Sequence, residues 1–156
     1  LKIKGGNTME SKSLKSFIVL MKASKSVQEL ITTDIASYGM RTSDFVIMET
    51  LYHKGRQTIR QIAEAVLIKT GSITYVIDKL EDKGWMTRID CKEDRRVVYI
   101  ELTDEGKRVM DSIFPQHQLV IEDIFSELTE QEHDVLIDLL KRVGKKVPTQ
   151  KGVTTK

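Results

Sequence analysis

The run Leu80–Gly106, LEDKGWMTRIDCKEDRRVVYIELTDEG, decides the architecture of this 156-residue chain. Up to Gly84, apolar residues recur at helical spacing (Ile73, Val76, Ile77, Leu80). Beyond it the period drops to two, and Trp85–Asp90 and Val97–Leu102 are short runs rich in β-formers. The segment between them, Cys91-Lys92-Glu93-Asp94-Arg95-Arg96, is too polar for a core, so the pattern predicts a β-hairpin with a charged tip. Thr103 then opens a long helical stretch carrying Val109, Met110, Ile113, Val120, Ile121 and Ile124. Pro115 lies inside it and is expected to kink or break it, because proline removes a helical donor and crowds the preceding turn.

Working upstream, Thr58 and Gln61 form a capping box ahead of a short helix whose buried stripe is read as Ile59, Ile62, Ala63 and Val66. Leu67–Lys69 are expected to turn and Thr70 to cap the next helix, which ends at Gly84. Before these lie a helix over about 42–54 with Phe45, Met48 and Leu51 on one face, stopped by Gly55, and a long helix over about 13–38, ended by Gly39. Downstream, Thr129 and Glu132 repeat the capping box before an amphipathic last helix holding Leu136, Leu139, Leu140 and Val143. The fold class is mainly α with a small β-wing: a winged helix-turn-helix head over about 42–102, flanked by terminal helices over about 13–38 and 103–144. Residues 1–8 (LKIKGGNT) are read as a cloning remnant ahead of a start at Met9, 9–146 as a single domain, and 147–156 as a flexible basic tail.

Charge is distributed unevenly around a net +2. Residues 53–96 carry ten bases against seven acids, 97–142 carry four bases against eleven acids, and 143–156 carry four lysines. A basic middle beside an acidic later segment suggests two faces with different partners. The single Cys91 excludes an internal disulfide framework and a cysteine-only zinc site. His53, His117 and His133 lack paired metal-ligand spacing, so no metal and no cofactor is expected. There is no nucleophile–base pair and no glycine-rich phosphate loop, so an enzyme is not expected. No apolar run reaches a membrane span and no secretory signal opens the chain; the expected compartment is the cytoplasm, with no membrane partner.

The order of short helix, tight turn, helix and charged-tip hairpin has a physical logic. The two short helices share a small core, which leaves the outer face of the second free to enter a DNA major groove. The candidate recognition-helix residues are Thr70, Gly71, Ser72, Thr74, Tyr75 and Lys79, with Asp78 on the same arc. Small hydroxyls near a helix N-terminus reach base edges or phosphates without a bulky stem. The candidate wing residues are Lys92, Asp94, Arg95 and Arg96, in which the arginines are long enough to enter a minor groove.

These residues also carry a resemblance. Leu80–Gly106 is similar to the signature of the MarR family of bacterial transcription regulators: a recognition-helix end, a Gly turn, a wing with D-x-R (here Asp94 and Arg96), and a strand ending in L-T-x-x-G. Gly39–Phe45 and Leu128–Glu132 extend it over most of 9–146. The resemblance implies a homodimer interlocked through the first and last two helices, binding a near-palindrome in double-stranded DNA with half-sites about one helical turn apart. It also implies a repressor released by a small aromatic or phenolic ligand held between head and dimerisation helices, with the wing Arg reaching the minor groove and the Asp orienting the wing's basic residues. Arg41 stands where the family has a hydroxyl, which shifts the expected cap to Thr42. The family's redox-sensing branch keeps a Cys near the start of the first helix; here the only Cys is in the wing.

Two further readings belong beside this one. Phe17, Met21, Met48, Tyr52 and Phe114 are candidates for a ligand pocket, although Met and aromatics also fill irregular gaps between helices. Cys91, beside Lys92 and near Arg95 but flanked by Asp90 and Glu93, offers a redox- or electrophile-sensing alternative. A winged-helix protein-interaction module without DNA binding is the rival function, disfavoured by Arg95, Arg96 and the hydroxyl-rich helix.

Overall fold

Side-chain caps and glycine stops set most of the element boundaries. The computed structural model describes residues 11–66 and 72–147. In chain order these form α1 (Lys12–Ser37), α2 (Thr42–Lys54), β1 (Gln57–Thr58), α3 (Ile59–Ala65), α4 (Ile73–Asp82), β2 (Met86–Asp90), β3 (Val98–Leu102), α5 (Asp104–Ile124) and α6 (Glu130–Lys146). The chain divides into two compact units, one through Val120 and one from Ile121. Among the described residues no helix is long and apolar enough to cross a membrane.

Both capping boxes are formed: Thr58 with Gln61, and Thr129 with Glu132. The entry to α2 differs from expectation. Arg41 occupies the cap position without any side-chain cap bond, and Thr42 is already helical. Asp44 in the first turn supplies a negative charge where the helix dipole favours one. The predicted cap of α4 is likewise displaced. Ser72 caps it, accepting from the Tyr75 amide, and the helix starts at Ile73. Thr70, Gly71 and the turn read over Leu67–Lys69 lie outside the described residues.

The first unit's core gathers the apolar faces of α2, α4 and the sheet: Phe45, Ile47, Met48, Leu51, Ile62, Ile77, Leu80, Met86, Ile100 and Met110 are buried, with Ile35 from α1. Each such side chain contributes about 1.5–3 kcal/mol on burial. Ala63, expected in this core, is exposed, while Ile62 is buried and Ile59 and Val66 pack against the core from either end of the short helix. The hairpin pairs Met86 with Leu102 and Asp90 with Val98, as its period-two pattern predicts. A strand the pattern did not predict, β1, pairs with β3 to complete a three-stranded antiparallel sheet in the order β1-β3-β2. Two residues carry no readable alternation, so no periodicity existed to find.

The wing is locked to α5 at Gly106. The Thr103 amide donates to the Trp85 carbonyl at 3.1 Å and the Thr103 hydroxyl to the Gly84 carbonyl at 2.6 Å. A Cβ on Gly106 would lie 2.1 Å from that same Trp85 oxygen. The glycine of the L-T-x-x-G pattern is therefore there for close backbone approach. Gly84, at φ +75°, occupies the left-handed region that makes the turn from α4 into the wing. Of the kink or break expected at Pro115, the break does not occur: α5 runs as one helix from Asp104 to Ile124. The helix is held on both sides of the proline by buried Met110 and buried His117, so packing outweighs a penalty of about 3 kcal/mol.

Beneath α2 lies a polar cluster that sequence reading did not find. His117 of α5 is 2% exposed, and its Nδ1 donates to Asp34 Oδ2 of α1 at 2.6 Å. The Tyr38 hydroxyl donates to the other Asp34 oxygen at 2.8 Å. Burial, helped by this bond and by the Asp34 charge, pushes the Tyr38 hydroxyl up to about 12, so it stays a donor at physiological pH. Glu49 of α2 faces His117 Nε2 at 3.8 Å and His53 at 4.0 Å. Burial raises the Glu49 carboxyl above its ordinary range, against the pull of the two histidines. In the second unit, α6 exposes Val135, Ile137, Leu139, Leu140 and Val143, and Phe125 packs against His133 at 5.9 Å.

Two outcomes follow. Gly106→Ala is expected to destabilise the protein by at least about 2 kcal/mol, since backbone must shift, lowering Tm in a thermal melt by about 5 °C or more. Glu49→Gln tests the buried carboxyl. A raised carboxyl favours folding only while protonated, so wild type loses that contribution as pH rises from the ordinary Glu range through the raised one. The variant should melt above wild type at pH 7, and the gap should close as pH falls towards about 4. A gap that is constant with pH would refute the linkage.

Candidate nucleic-acid interface

α4 is ten residues long and amphipathic. Val76, Ile77 and Leu80 are buried, and Thr74, Tyr75 and Asp78 point out; Tyr75 is 64% exposed, unusual for a large aromatic. Ser72, at the cap, is also exposed. Four of the six predicted recognition-helix residues are thus described, and three of them, Ser72, Thr74 and Tyr75, share the open side.

The fourth, Lys79, is engaged elsewhere. Its ammonium donates to Asp44 Oδ1 at 2.6 Å, with Asp44's side chain only 3% exposed. The second Asp44 oxygen lies 4.0 Å from Lys83, and Lys83 also sits over the Trp85 ring at 4.6 Å. The Ser43 hydroxyl donates to Asp44 as well. Lys79 therefore fixes α4 to the start of α2 instead of standing free. Arg88 provides a second fixing point. It lies on the inward face of β2, in register with Ile100, and its guanidinium donates to Asp78 and Glu81 of α4. That fork neutralises two acids that would otherwise confront an anionic ligand. Asp44 and Arg88 were both missed from sequence. A carboxylate in a helix first turn and an arginine in a short strand carry no signal of their own, and only the fold brings them to Lys79 and Asp78.

The wing tip projects between β2 and β3. Lys92, Arg95 and Arg96 are exposed, with the Arg96 side chain 90% exposed. Asp94 accepts from the Arg96 amide at 3.0 Å, from Nε at 3.1 Å and from Nη2 at 3.2 Å. The guanidinium hydrogen bonds, then the amide, hold the Asp94 carboxyl below its ordinary range. The pair fixes the turn at the tip and aims the arginine. Cys91 is partly exposed, its amide bonded to the Val97 carbonyl at 3.0 Å.

The five residues read as pocket candidates are buried to very different degrees, and of them Tyr52 lines an open cleft. Phe17 and Met21 of α1 are 59% and 53% exposed, and Met48 is fully buried core. Tyr52 and Phe114 pack against the core that holds Met48, with their own ring centroids 5.5 Å apart. Tyr52 donates to Asp111 at 2.7 Å on the edge of an open cleft of about 250 Å³, lined also by Arg56, Glu101 and Lys107. Helical periodicity identified apolar residues but not which of them a folded chain would cover.

Comparison with known proteins places this geometry. The sequence model of the MarR family matches residues 41–98, from the start of α2 into the wing. The HTH-type transcriptional regulator MhqR of Bacillus subtilis (strain 168) is 41% identical over 136 residues, spanning 87% of this chain and 94% of that protein. Among solved structures, Sco3205 of Streptomyces coelicolor, a MarR family transcriptional regulator in complex with DNA, superposes with a TM-score of 0.78 at 19% identity, covering 97% of each chain. NadR in complex with 4-hydroxyphenylacetate gives 0.70 at 20% identity, covering 94% of this chain and 99% of its own. At these identities the structural matches establish the winged-helix fold.

Asp44→Asn should leave Lys79 without its buried counter-charge. The expected loss is about 1–3 kcal/mol in urea unfolding, as for a hydrogen bond to a charged group, with the m-value unchanged.

Proposed function

The chain belongs to the MarR family of DNA-binding transcriptional regulators, and on that premise we propose that it is a homodimeric repressor of a near-palindromic operator, released by a small aromatic or phenolic ligand. The observation that carries the DNA half is the shared exposure of Ser72, Thr74 and Tyr75 on α4 with Lys92, Arg95 and Arg96 on the wing. On this reading α4 enters the major groove and its small hydroxyls contact base edges or phosphates, with Thr70 and Gly71 joining them. Arg96, aimed by Asp94, takes the minor groove, and Arg95 and Lys92 contact flanking phosphates. Lys79 acts here by holding α4.

The dimer half is supported by apolar surface that one chain leaves uncovered. Leu14, Phe17, Val19 and Met21 of α1 are more than half exposed, as are Val135 and Val143 of α6. Stripes of this size call for a partner surface. The ligand half rests on kinship: NadR is seen with 4-hydroxyphenylacetate, and a further structural neighbour, BpsR of Bordetella bronchiseptica, is described as regulated in DNA binding by 6-hydroxynicotinic acid. Both are small hydroxylated aromatic acids. Phe17 and Met21 are better placed for the dimer surface, which leaves Tyr52 and Phe114 as the aromatic pair nearest an open cleft.

The deciding measurement is fluorescence anisotropy against the DNA upstream of the protein's own reading frame, at two salt concentrations, with a scrambled duplex as control. Specific binding should weaken steeply with salt, because phosphate contacts release counterions. Arg96→Ala should weaken it about tenfold to a hundredfold in a folded dimer and flatten the salt slope. A folded chain that binds no duplex at low salt would move the protein-interaction reading forward.

A further inference from the structure

α2 is the hub of the first unit: of the two buried charged or polar residues of the described chain, Asp44 belongs to it and His117 of α5 lies against it. They act at different places. Asp44 holds α4 through Lys79 at 2.6 Å. Glu49, five residues on and so about 140° around the helix, faces His117 of α5, which is bonded to Asp34 of α1. One helix thus carries a polar connection to the DNA-reading helix and another to the two long helices. The second connection is costly. An imidazole 3% exposed and a carboxylate 9% exposed have given up water, and an apolar trio of similar volume would pack there at no such cost. Apolar contacts tolerate sliding, whereas this cluster does not. The His117 ring is pinned through Nδ1 to Asp34 and stands against Phe45 of α2 edge-on at 4.6 Å, and both Asp34 oxygens are occupied.

We propose that His117, with Asp34 and Glu49, is a positioning element for DNA binding, fixing the angle at which α1 and α5 leave the winged head and thereby where α4 is presented. This rests on the DNA-binding reading above. The cluster acts through α2: a shift of α5 against α2 moves the helix whose first turn grips Lys79. Its contribution is to alignment and not to stability.

The test separates those two contributions. In a D34L/E49Q/H117L variant of the full chain, Tm should stay level or rise, while affinity for the upstream DNA falls at least about tenfold and non-specific duplex affinity stays as it was. Spin labels at K25C and D82C in a C91S background, diluted with unlabelled chain, read the α1–α4 distance without DNA; the distribution should broaden or shift in the variant. H117N, which keeps one donor but cannot span both carboxylates, should show both effects to a smaller degree. Unchanged affinity and an unchanged distance in either folded variant overturns the proposal, and so does failure of both to fold, which would make the cluster a stability element. If wild type binds no duplex, the regulatory reading fails, and the distance measurement still decides the alignment.

Discussion

A ten-residue helix has no stability of its own in water, so everything α4 does depends on what clamps it. Three clamps act from three directions. Val76, Ile77 and Leu80 bury its inner face. Lys79 ties it to α2 through a carboxylate that is almost wholly buried. Arg88 ties it to the wing through Asp78 and Glu81. The clamps engage Asp78, Lys79 and Glu81, and the outward residues at the start of the helix are neutral: Ser72, Thr74 and Tyr75. On the proposed reading, such a surface would meet a groove through hydrogen bonds and stacking contacts, with cationic attraction left to the wing tip.

That division explains how much the sequence could disclose. The hairpin, both capping boxes and the glycine stops were legible because each is local: a change of period, a hydroxyl three residues before a Gln or Glu, a glycine where the helix must reverse. Lys92, Asp94, Arg95 and Arg96 were legible because a polar tip between two strands has nowhere to go but solvent. Lys79 was read as free because a helical wheel shows which side a residue takes, not what the neighbouring helix brings to it. Asp44, Arg88, Asp34 and His117 were invisible for the same reason. Each pairs across 10 to 83 residues of chain, and no periodic signal spans that distance. The pocket candidates meet a related limit, since an apolar residue on a helix serves equally as core, interface or cavity wall until its partners are known.

Gly106 and Pro115 show local rules yielding to tertiary ones in opposite senses. Glycine early in a helix is locally a weak choice, yet no other residue fits against the Trp85 carbonyl. Proline in the middle of α5 is locally a breaker, yet the helix continues through it because Met110 and His117 are buried on either side. In both cases α5 is held where a shift would disturb the wing or α2. The helix that leads out of the head is fixed to it at its first turn by backbone and at its fourth by a buried imidazole.

The two halves of the interface are therefore unequal in rigidity. α4 is fastened by its buried apolar face and by a carboxylate, Asp44, that is 3% exposed, contacts that salt screens little, while the Arg88 fork to Asp78 and Glu81 stands partly in water. Arg96 is fastened only to Asp94, in a pair 90% and 42% exposed, where salt screens the attraction and a phosphate competes for the same donors. On the proposed reading, the helix sets register on the duplex and the wing adapts to the local groove. Asp94 then organises the arginine before contact and gives it up on contact. The bound wing should consequently tolerate variation in flanking sequence that the recognition helix does not.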